Sequence, residues 1–367
     1  MKVPFIDLSR HHKPLKSELS QAFEKVYDSN QFILGQHVQQ FEEELATYVG
    51  TKYALGVSNC TNALLLSLKA LGVESGDEVI TTPFTFVATA EVIAMLGAKP
   101  VFCDIEPKTL NIDHTLINDH ISKKTKVILP VHLYGQSADM DEIMAIAKQH
   151  NIAVVEDMAQ AVGAQYKGKS VGTFGATACI SFFPTKNLSA LGDAGMVLTS
   201  DDVLAERLRA MRVHGAAKKY YHDFLGYNDR LDAIQAAFLS VKLNYLDTWN
   251  ERRREIARRY NAAFKDLMQI PFVHEYNVSV YHQYTIRTRK RDALRDFLTQ
   301  KNIGTSVHYP LGLHQQKAFE YLGYREGDYP ETEKAAQEVL SLPIQQDLSD
   351  EEVDYVIAVI KEFFSRD

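Results

Sequence analysis

Ala153-Val154-Val155-Glu156-Asp157-Met158-Ala159-Gln160-Ala161 and Ala178-Cys179-Ile180-Ser181-Phe182-Phe183-Pro184-Thr185-Lys186-Asn187-Leu188 each begin as a short apolar run and break into polar groups at the carboxyl end. A run of this kind bounded by polar punctuation reads as a buried strand. An unpaired carboxylate at a buried strand end is costly, so Asp157 needs a partner. Lys186, carried out of a core by the second run, fits poorly as an ordinary surface charge. Outward from these runs, Ala63 to Leu71 reads as a helix leading through Gly72 and Gly76-Asp77 into a strand at Glu78 to Thr81. Further strands are expected at Lys99 to Asp104, Val127 to Val131 and Ala153 to Glu156, with a helix at Met140 to Gln149 between the last two. This βαβ rhythm predicts an α/β fold with a mainly parallel sheet covered by helices.

Between Ala233 and Met268 the residues Ile234, Phe238, Val241, Tyr245 and Trp249 recur at helical spacing, and charge density rises after Asn250. The domain change is placed there: a large α/β domain at 1–250, including an N-terminal segment, and a smaller C-terminal α+β domain at 251–367. The latter is expected to hold a strand at Val280 to Arg287, a helix at Asp292 to Lys301 and a last helix from Asp350. No internal repeat or low-complexity tract is visible.

With 367 residues, 46% of them hydrophobic and 24% charged, the chain can bury a substantial core. A net charge of -7 argues against a nucleic-acid partner. Arg252-Arg253-Arg254 is a basic run that reads as a solvated helix face. Cys60, Cys103 and Cys179 make no disulfide framework, which fits a reducing cytoplasm. The N-terminus reaches Asp7 before a signal core could develop, and no apolar stretch is long enough to cross a bilayer, so no membrane association is expected. The thirteen histidines lack metal-ligand spacing, so no metal is expected. Gly163-Ala164-Gln165-Tyr166-Lys167-Gly168-Lys169-Ser170 has the spacing of a Walker A phosphate loop, but Val171-Gly172-Thr173-Phe174-Gly175 follows where a helix is required. That segment reads as a hairpin, which disfavours a P-loop nucleotide hydrolase.

A lysine and a carboxylate at neighbouring strand ends are what pyridoxal 5′-phosphate chemistry needs. The amine forms a Schiff base, and the carboxylate keeps the pyridine nitrogen protonated so that the ring acts as an electron sink. Val155 to Ala161, Ser181 to Lys186 and Gly192-Asp193-Ala194-Gly195 together resemble the DegT/StrS family of nucleotide-sugar aminotransferases, over essentially the whole chain. The resemblance implies the aspartate-aminotransferase fold (PLP fold type I) with a seven-stranded sheet, and pyridoxamine phosphate as the intermediate cofactor form.

By the same resemblance Lys186 is the catalytic anchor and proton carrier, Asp157 pairs with the pyridinium, Gln160 bonds the ring oxygen and Phe86 stacks on the ring. Cys60, Thr61 and Ser181 hold the phosphate, and Asn228 matches an asparagine that reaches it from the partner subunit. That implies a homodimer with shared active sites. Phe183, Tyr220, Tyr221, His308 and Tyr309 match positions near the sugar, and Phe32 to Gly35 a segment bordering the neighbouring subunit's site. Two positions depart from the pattern: Phe183 stands where relatives often have tyrosine, and Ala194 where glycine is usual. A methyl group there costs energy only if the backbone needs positive φ. The implied reaction passes an amino group, from glutamate in the family, to a keto group of a nucleotide-linked sugar. C-3 is favoured over C-4 by Gly226-Tyr227-Asn228-Asp229-Arg230-Leu231-Asp232, with a dTDP-3-keto-6-deoxyhexose or a UDP-linked 3-keto sugar as acceptor. A non-catalytic regulatory protein of the same fold stands as the alternative, although Lys186 and Asp157 are both intact.

Overall fold

The computed structural model describes residues 1–366. Its centre is a seven-stranded sheet built from β1 (Tyr53–Val57), β2 (Glu78–Thr81), β3 (Lys99–Phe102), β4 (Thr125–Leu129), β5 (Ala153–Asp157), β8 (Thr177–Ser181) and β9 (Gly195–Thr199). The intervening β6 (Gln165–Tyr166) and β7 (Lys169–Ser170) form a separate hairpin, extended by β10 (Asn277–Val278). The order across the large sheet is β1-β9-β8-β5-β4-β2-β3. Pairing is parallel from β8 through β3, and only β9 runs against its neighbours. The middles of the strands are apolar and buried because helices cover both faces. Helix Cys60–Ala70, buried along Ala63 to Leu68, packs on one side beside Ala88–Met95 and Asp202–Met211. Helices Lys16–Ser29, Gln36–Val49 and Ala233–Leu243 close the other.

Helix Cys60–Ala70 begins earlier than the sequence pattern indicates, because Asn59 caps it by accepting from Asn62 N–H at 2.9 Å. The helical stretch after Ala233 is two helices, Ala233–Leu243 and Leu246–Phe264, separated at Asn244 and Tyr245. The expected strand at Val280 to Arg287 shortens to β11 (Tyr284–Arg287), since Tyr281 takes φ 43° and breaks the extended run. The decoy phosphate loop is the β6–β7 hairpin, turned by Lys167 and Gly168 at φ 49° and 79°.

β11 pairs antiparallel with β12 (Val339–Leu342), and helices Arg291–Gln300 and Asp350–Phe364 pack around that pair. Leu246 at the start of helix Leu246–Phe264 belongs to the core of the large sheet, whereas Ile256, Tyr260 and Phe264 belong to the C-terminal core. Val3 also enters the C-terminal core and pairs with Ile303. The solvated-face reading of the arginine run is corrected at Arg253. Its side chain is buried and donates to the carbonyls of Tyr281 and His282 at 3.2 and 3.3 Å and to Gln346 Oε1 at 3.1 Å. Burial pulls its guanidinium down to about 10. Among the described residues no helix is long and apolar enough to cross a membrane.

Candidate active site

β2, β5 and β8 are parallel, so their carboxyl ends emerge at one edge of the sheet, where open α/β folds place ligands. A cavity of 730 Å³ lies there. Its lining includes Phe86 from beyond β2, Asp157 at the end of β5 and Gln160 just past it, and Ser181 at the end of β8 with Phe183 and Lys186 just past it. The C-terminal part of the chain adds His282, Gln283, His308 and Tyr309.

Asp157 is 5% exposed and held from two directions: Oδ2 accepts from Thr89 Oγ1 at 2.9 Å, and Oδ1 from Ala159 N–H at 3.1 Å. Thr89 spends its one hydrogen on Asp157, so Thr85 Oγ1, 3.0 Å away, must donate to it. Burial raises the Asp157 carboxyl above its ordinary value, against the pull of these donors and of Lys186. Desolvation likewise lowers the Lys186 amine, opposed by Cys60 and Asp157. A site that disfavours both charges in isolation gains by pairing each with a partner of opposite character.

Asn59, Cys60, Thr61 and Asn62 present the N-terminus of helix Cys60–Ala70 to the same cavity. Its free amides and positive dipole end suit a phosphate. Gly195 makes this geometry possible, since a Cβ there would sit 2.4 Å from the Asn59 carbonyl carbon. Ser181 Oγ accepts from Phe183 N–H at 3.3 Å, which leaves its own hydrogen for the cavity. Ala194 does not adopt positive φ, so its methyl group causes no strain.

Gln160 Oε1 accepts from Tyr134 N–H at 2.6 Å and Nε2 donates to Tyr309 Oη at 3.3 Å, leaving one amide hydrogen available. Phe86 and Phe183 are both exposed on the cavity wall. His308 reaches Ser341 Oγ with Nδ1 at 2.9 Å and Ser306 Oγ with Nε2 at 3.4 Å, and burial, with Lys186 nearby, pulls it down to about 4. The structure does not bring Tyr220, Tyr221 or Asn228 to this cavity. Tyr220 and Tyr221 lie exposed in a segment folded back on His214 and Gly215. Asn228 is exposed and accepts from Arg230, although its neighbour Asp229 takes Ser58 N–H at 2.8 Å. Within one chain, Tyr220 and Tyr221 therefore do not line the cavity.

An anion seat at one end, a buried carboxylate held by a hydroxyl and an amide at the other, and an amine with a lowered pKa between them fit pyridoxal phosphate. The profile of the DegT/DnrJ/EryC1/StrS aminotransferase family matches residues 13–361. The chain belongs to that family. A Geobacillus stearothermophilus protein named pleiotropic regulatory protein is 52% identical, over 99% of each chain. The UDP-N-acetyl-3-dehydro-alpha-D-glucosamine 3-aminotransferase of Acidithiobacillus ferrooxidans is 41% identical over 98% of this chain and 97% of its own. Among solved structures, S. venezuelae DesV in complex with a ketimine intermediate superposes with a TM-score of 0.98 at 39% identity, covering 100% of this chain and 99% of that one.

As a DegT/DnrJ/EryC1/StrS aminotransferase the chain has fold type I, and its site includes residues that sequence reasoning passed over. Thr85 and Thr89 brace Asp157, Asp193 and Thr185 line the cavity, and His282 and Gln283 close it from the C-terminal part. Thr85 was within view, one residue from Phe86. Nothing local marks His282 and Gln283 except that they are polar residues inside an apolar run.

Proposed function

We propose that this aminotransferase moves an amino group from glutamate to the C-3 keto group of a nucleotide-linked hexose, with pyridoxal phosphate as cofactor. The observation that carries the reading is the convergence of Lys186, Asp157 and the open turn at Cys60 and Thr61 on one cavity. The bound cofactor supplies an electron sink that makes the carbon–hydrogen bond beside nitrogen acidic. Everything else falls to the chain. Asp157 keeps the ring nitrogen protonated, and Cys60, Thr61 and Ser181 seat the phosphate. Gln160 offers its spare hydrogen to the ring oxygen, and Phe86 covers the ring. Lys186 Nζ, lowered by burial, takes a proton from the donor carbon and returns one to the acceptor carbon. The 3-keto substrate of the Acidithiobacillus relative and the dTDP-linked amino sugar of a relative from Aneurinibacillus thermoaerophilus support C-3 chemistry, with UDP and dTDP as the two nucleotide classes. Phe183, His308 and Tyr309 face the acceptor.

The regulatory name of the Geobacillus relative does not displace this reading, because a purely regulatory protein has no use for a braced Asp157 facing Lys186. The same proposal makes the protein a homodimer with shared sites, supported by exposed Asn228 and by exposed apolar Phe32, Ile33 and Leu225. Exposed Tyr220 and Tyr221 then serve the neighbouring copy's cavity. Three unpaired thiols support the cytoplasm, and the division at 1–250 and 251–367 places the cofactor seat in the first part.

The test is the visible spectrum of the protein loaded with pyridoxal phosphate. A yellow band that bleaches with glutamate and returns with the 3-keto sugar supports the reading, and Lys186→Ala abolishes band and turnover together. A band that glutamate leaves unchanged rejects the donor. Mixed dimers of Lys186→Ala and Asn228→Ala recover activity if the sites are shared; no recovery rejects sharing.

A further inference from the structure

The roles assigned so far make no use of the wall formed by His282 and Gln283. Gln283 is 8% exposed, lines the cavity, and its Oε1 is buried with no hydrogen-bond partner among the described residues. Buried amides are nearly always paired, because a bare one forfeits its hydration without compensation. Other polar groups of the cavity differ. Gln160 is engaged by Tyr134 and Tyr309, His308 by Ser341 and Ser306, and Asp157 by Thr89 and Ala159.

The neighbouring imidazole is fixed in orientation and tautomer. Asn187 Nδ2 donates to Asn250 Oδ1 at 2.8 Å and to Val280 O at 3.0 Å, so the amide oxygen of Asn187 faces His282 Nδ1, 3.1 Å away. That oxygen only accepts, so His282 carries its hydrogen on Nδ1 and presents Nε2 as an acceptor. No protein group bonds that Nε2 among the described residues. Buried Arg253 grips the carbonyl oxygens of Tyr281 and His282, so the wall is rigid. Burial, reinforced by Lys186 and Arg253, keeps the imidazole neutral.

We propose that Gln283, with His282 Nε2 beside it, is a specificity-determining site that receives a ring hydroxyl of the acceptor hexose. A hydroxyl both donates and accepts, and this wall offers both complements: Gln283 Nε2–H to donate and His282 Nε2 to accept. A purely apolar ligand would leave the amide bare, and a carboxylate would meet the His282 acceptor. The proposal rests on the acceptor reading above and adds the residues that distinguish the sugar from its nucleotide.

Gln283→Met keeps length and volume while removing donor and acceptor. Calorimetry on the holoenzyme uses UDP-N-acetylglucosamine and dTDP-glucose, which carry a hydroxyl at C-3 and do not turn over, alongside UDP and dTDP alone. Affinity for the nucleotide sugar that the wild type binds is expected to fall about tenfold or more. Affinity for the bare nucleotide and the rate of the glutamate half-reaction stay within about twofold, on the same single-hydrogen-bond reasoning. The melting temperature holds or rises, because a bare buried amide is a stability cost. Equal weakening of sugar and bare nucleotide overturns the proposal, as does loss of the glutamate half-reaction. A fall in melting temperature also overturns it, since the amide would then be satisfied inside the narrow void that Gln283 shares with Leu133, Tyr134 and Thr285. A wild type that binds neither nucleotide sugar rejects the acceptor reading itself.

Discussion

Glu156 and Asp157 are adjacent carboxylates at the end of one strand, and the strand's alternation sends them to opposite faces of the sheet. Glu156 is completely buried and surrounded by donors: His132 Nε2 at 3.0 Å and the amides of Gly172, Phe174 and Gly175 at 2.7, 2.9 and 2.8 Å. Burial alone would raise its carboxyl, but His132 and the turn amides win and it is lowered. Asp157 has two donors and a cavity in front of it, and there burial wins and the carboxyl is raised. A saturated carboxylate is a strut, whereas an undersaturated one facing a cavity has capacity left for a ligand. The contrast also explains the decoy. The glycine-rich turn after the β6–β7 hairpin does cradle an anion, but the anion is the chain's own Glu156, while the open cradle is the helix start at Cys60 and Thr61.

The strongest way to break this comparison is to remove each carboxylate and measure both function and folding. Asp157→Ala should lower turnover by about 10⁴-fold or more, roughly 5 kcal/mol of transition-state stabilisation, with little loss of denaturant stability. Steady-state kinetics and urea titration of the same preparation read the two effects. Glu156→Ala should do the reverse. It strands buried His132 and three amides, costing about 4 kcal/mol of stability, while turnover per folded molecule stays within a few-fold of wild type. If Glu156→Ala abolished catalysis in the folded protein, the strut assignment would fail.

The comparison extends to imidazoles. His132 is spent on Glu156, whereas His308 faces the cavity and is pulled down to about 4 by burial, with Lys186 adding to it. A histidine held neutral in the fold binds fewer protons than in the unfolded chain between pH 6.5 and about 4. Its contribution is therefore complete above pH 6.5 and is lost as pH falls toward 4, on the order of 3 kcal/mol at the limit. His308→Gln should flatten that part of the stability–pH curve in urea titrations. An unchanged slope would show that His308 is not a source of it.

What was legible in the sequence follows from how local each cause is. β2 matches its expected span, Glu78 to Thr81, because β-branched Val79 and Ile80 are bounded by the turn signals Gly76-Asp77 and Thr82-Pro83. The break at Asn244 was not legible, since no glycine or proline marks it and the apolar period continues through Tyr245 and Trp249. Arg253 is buried beside partly exposed Arg252 and Arg254 because successive helix residues point about 100° apart. Only the fold reveals which of the three turns inward. Lys186 and Asp157 could be proposed from residue chemistry and resemblance, each at the end of a recognisable run. His282 and Gln283 could not, because their significance lies in what they fail to bond, and that depends on tertiary contacts with Asn187 and Arg253.

Thr89 gives the finest test of the difference between the two carboxylates, because it changes the donor count on Asp157 by one and touches nothing on Glu156. Its hydroxyl donates to Oδ2 of Asp157 and is oriented by Thr85. Thr89→Val keeps the branched shape and removes that donor. The Thr89 hydrogen bond acts to lower the Asp157 carboxyl, so its loss raises a group that burial has already raised. Ionisation of Asp157 then requires higher pH, and the acid limb of the kcat/KM profile should move up by about one pH unit, worth about 1.4 kcal/mol. At alkaline pH, where the carboxylate is ionised in both proteins, the rates should converge to within a few-fold. A uniform loss at every pH would mean that Thr89 only packs against the site, and Asp157 would then owe its state to burial and Ala159 alone.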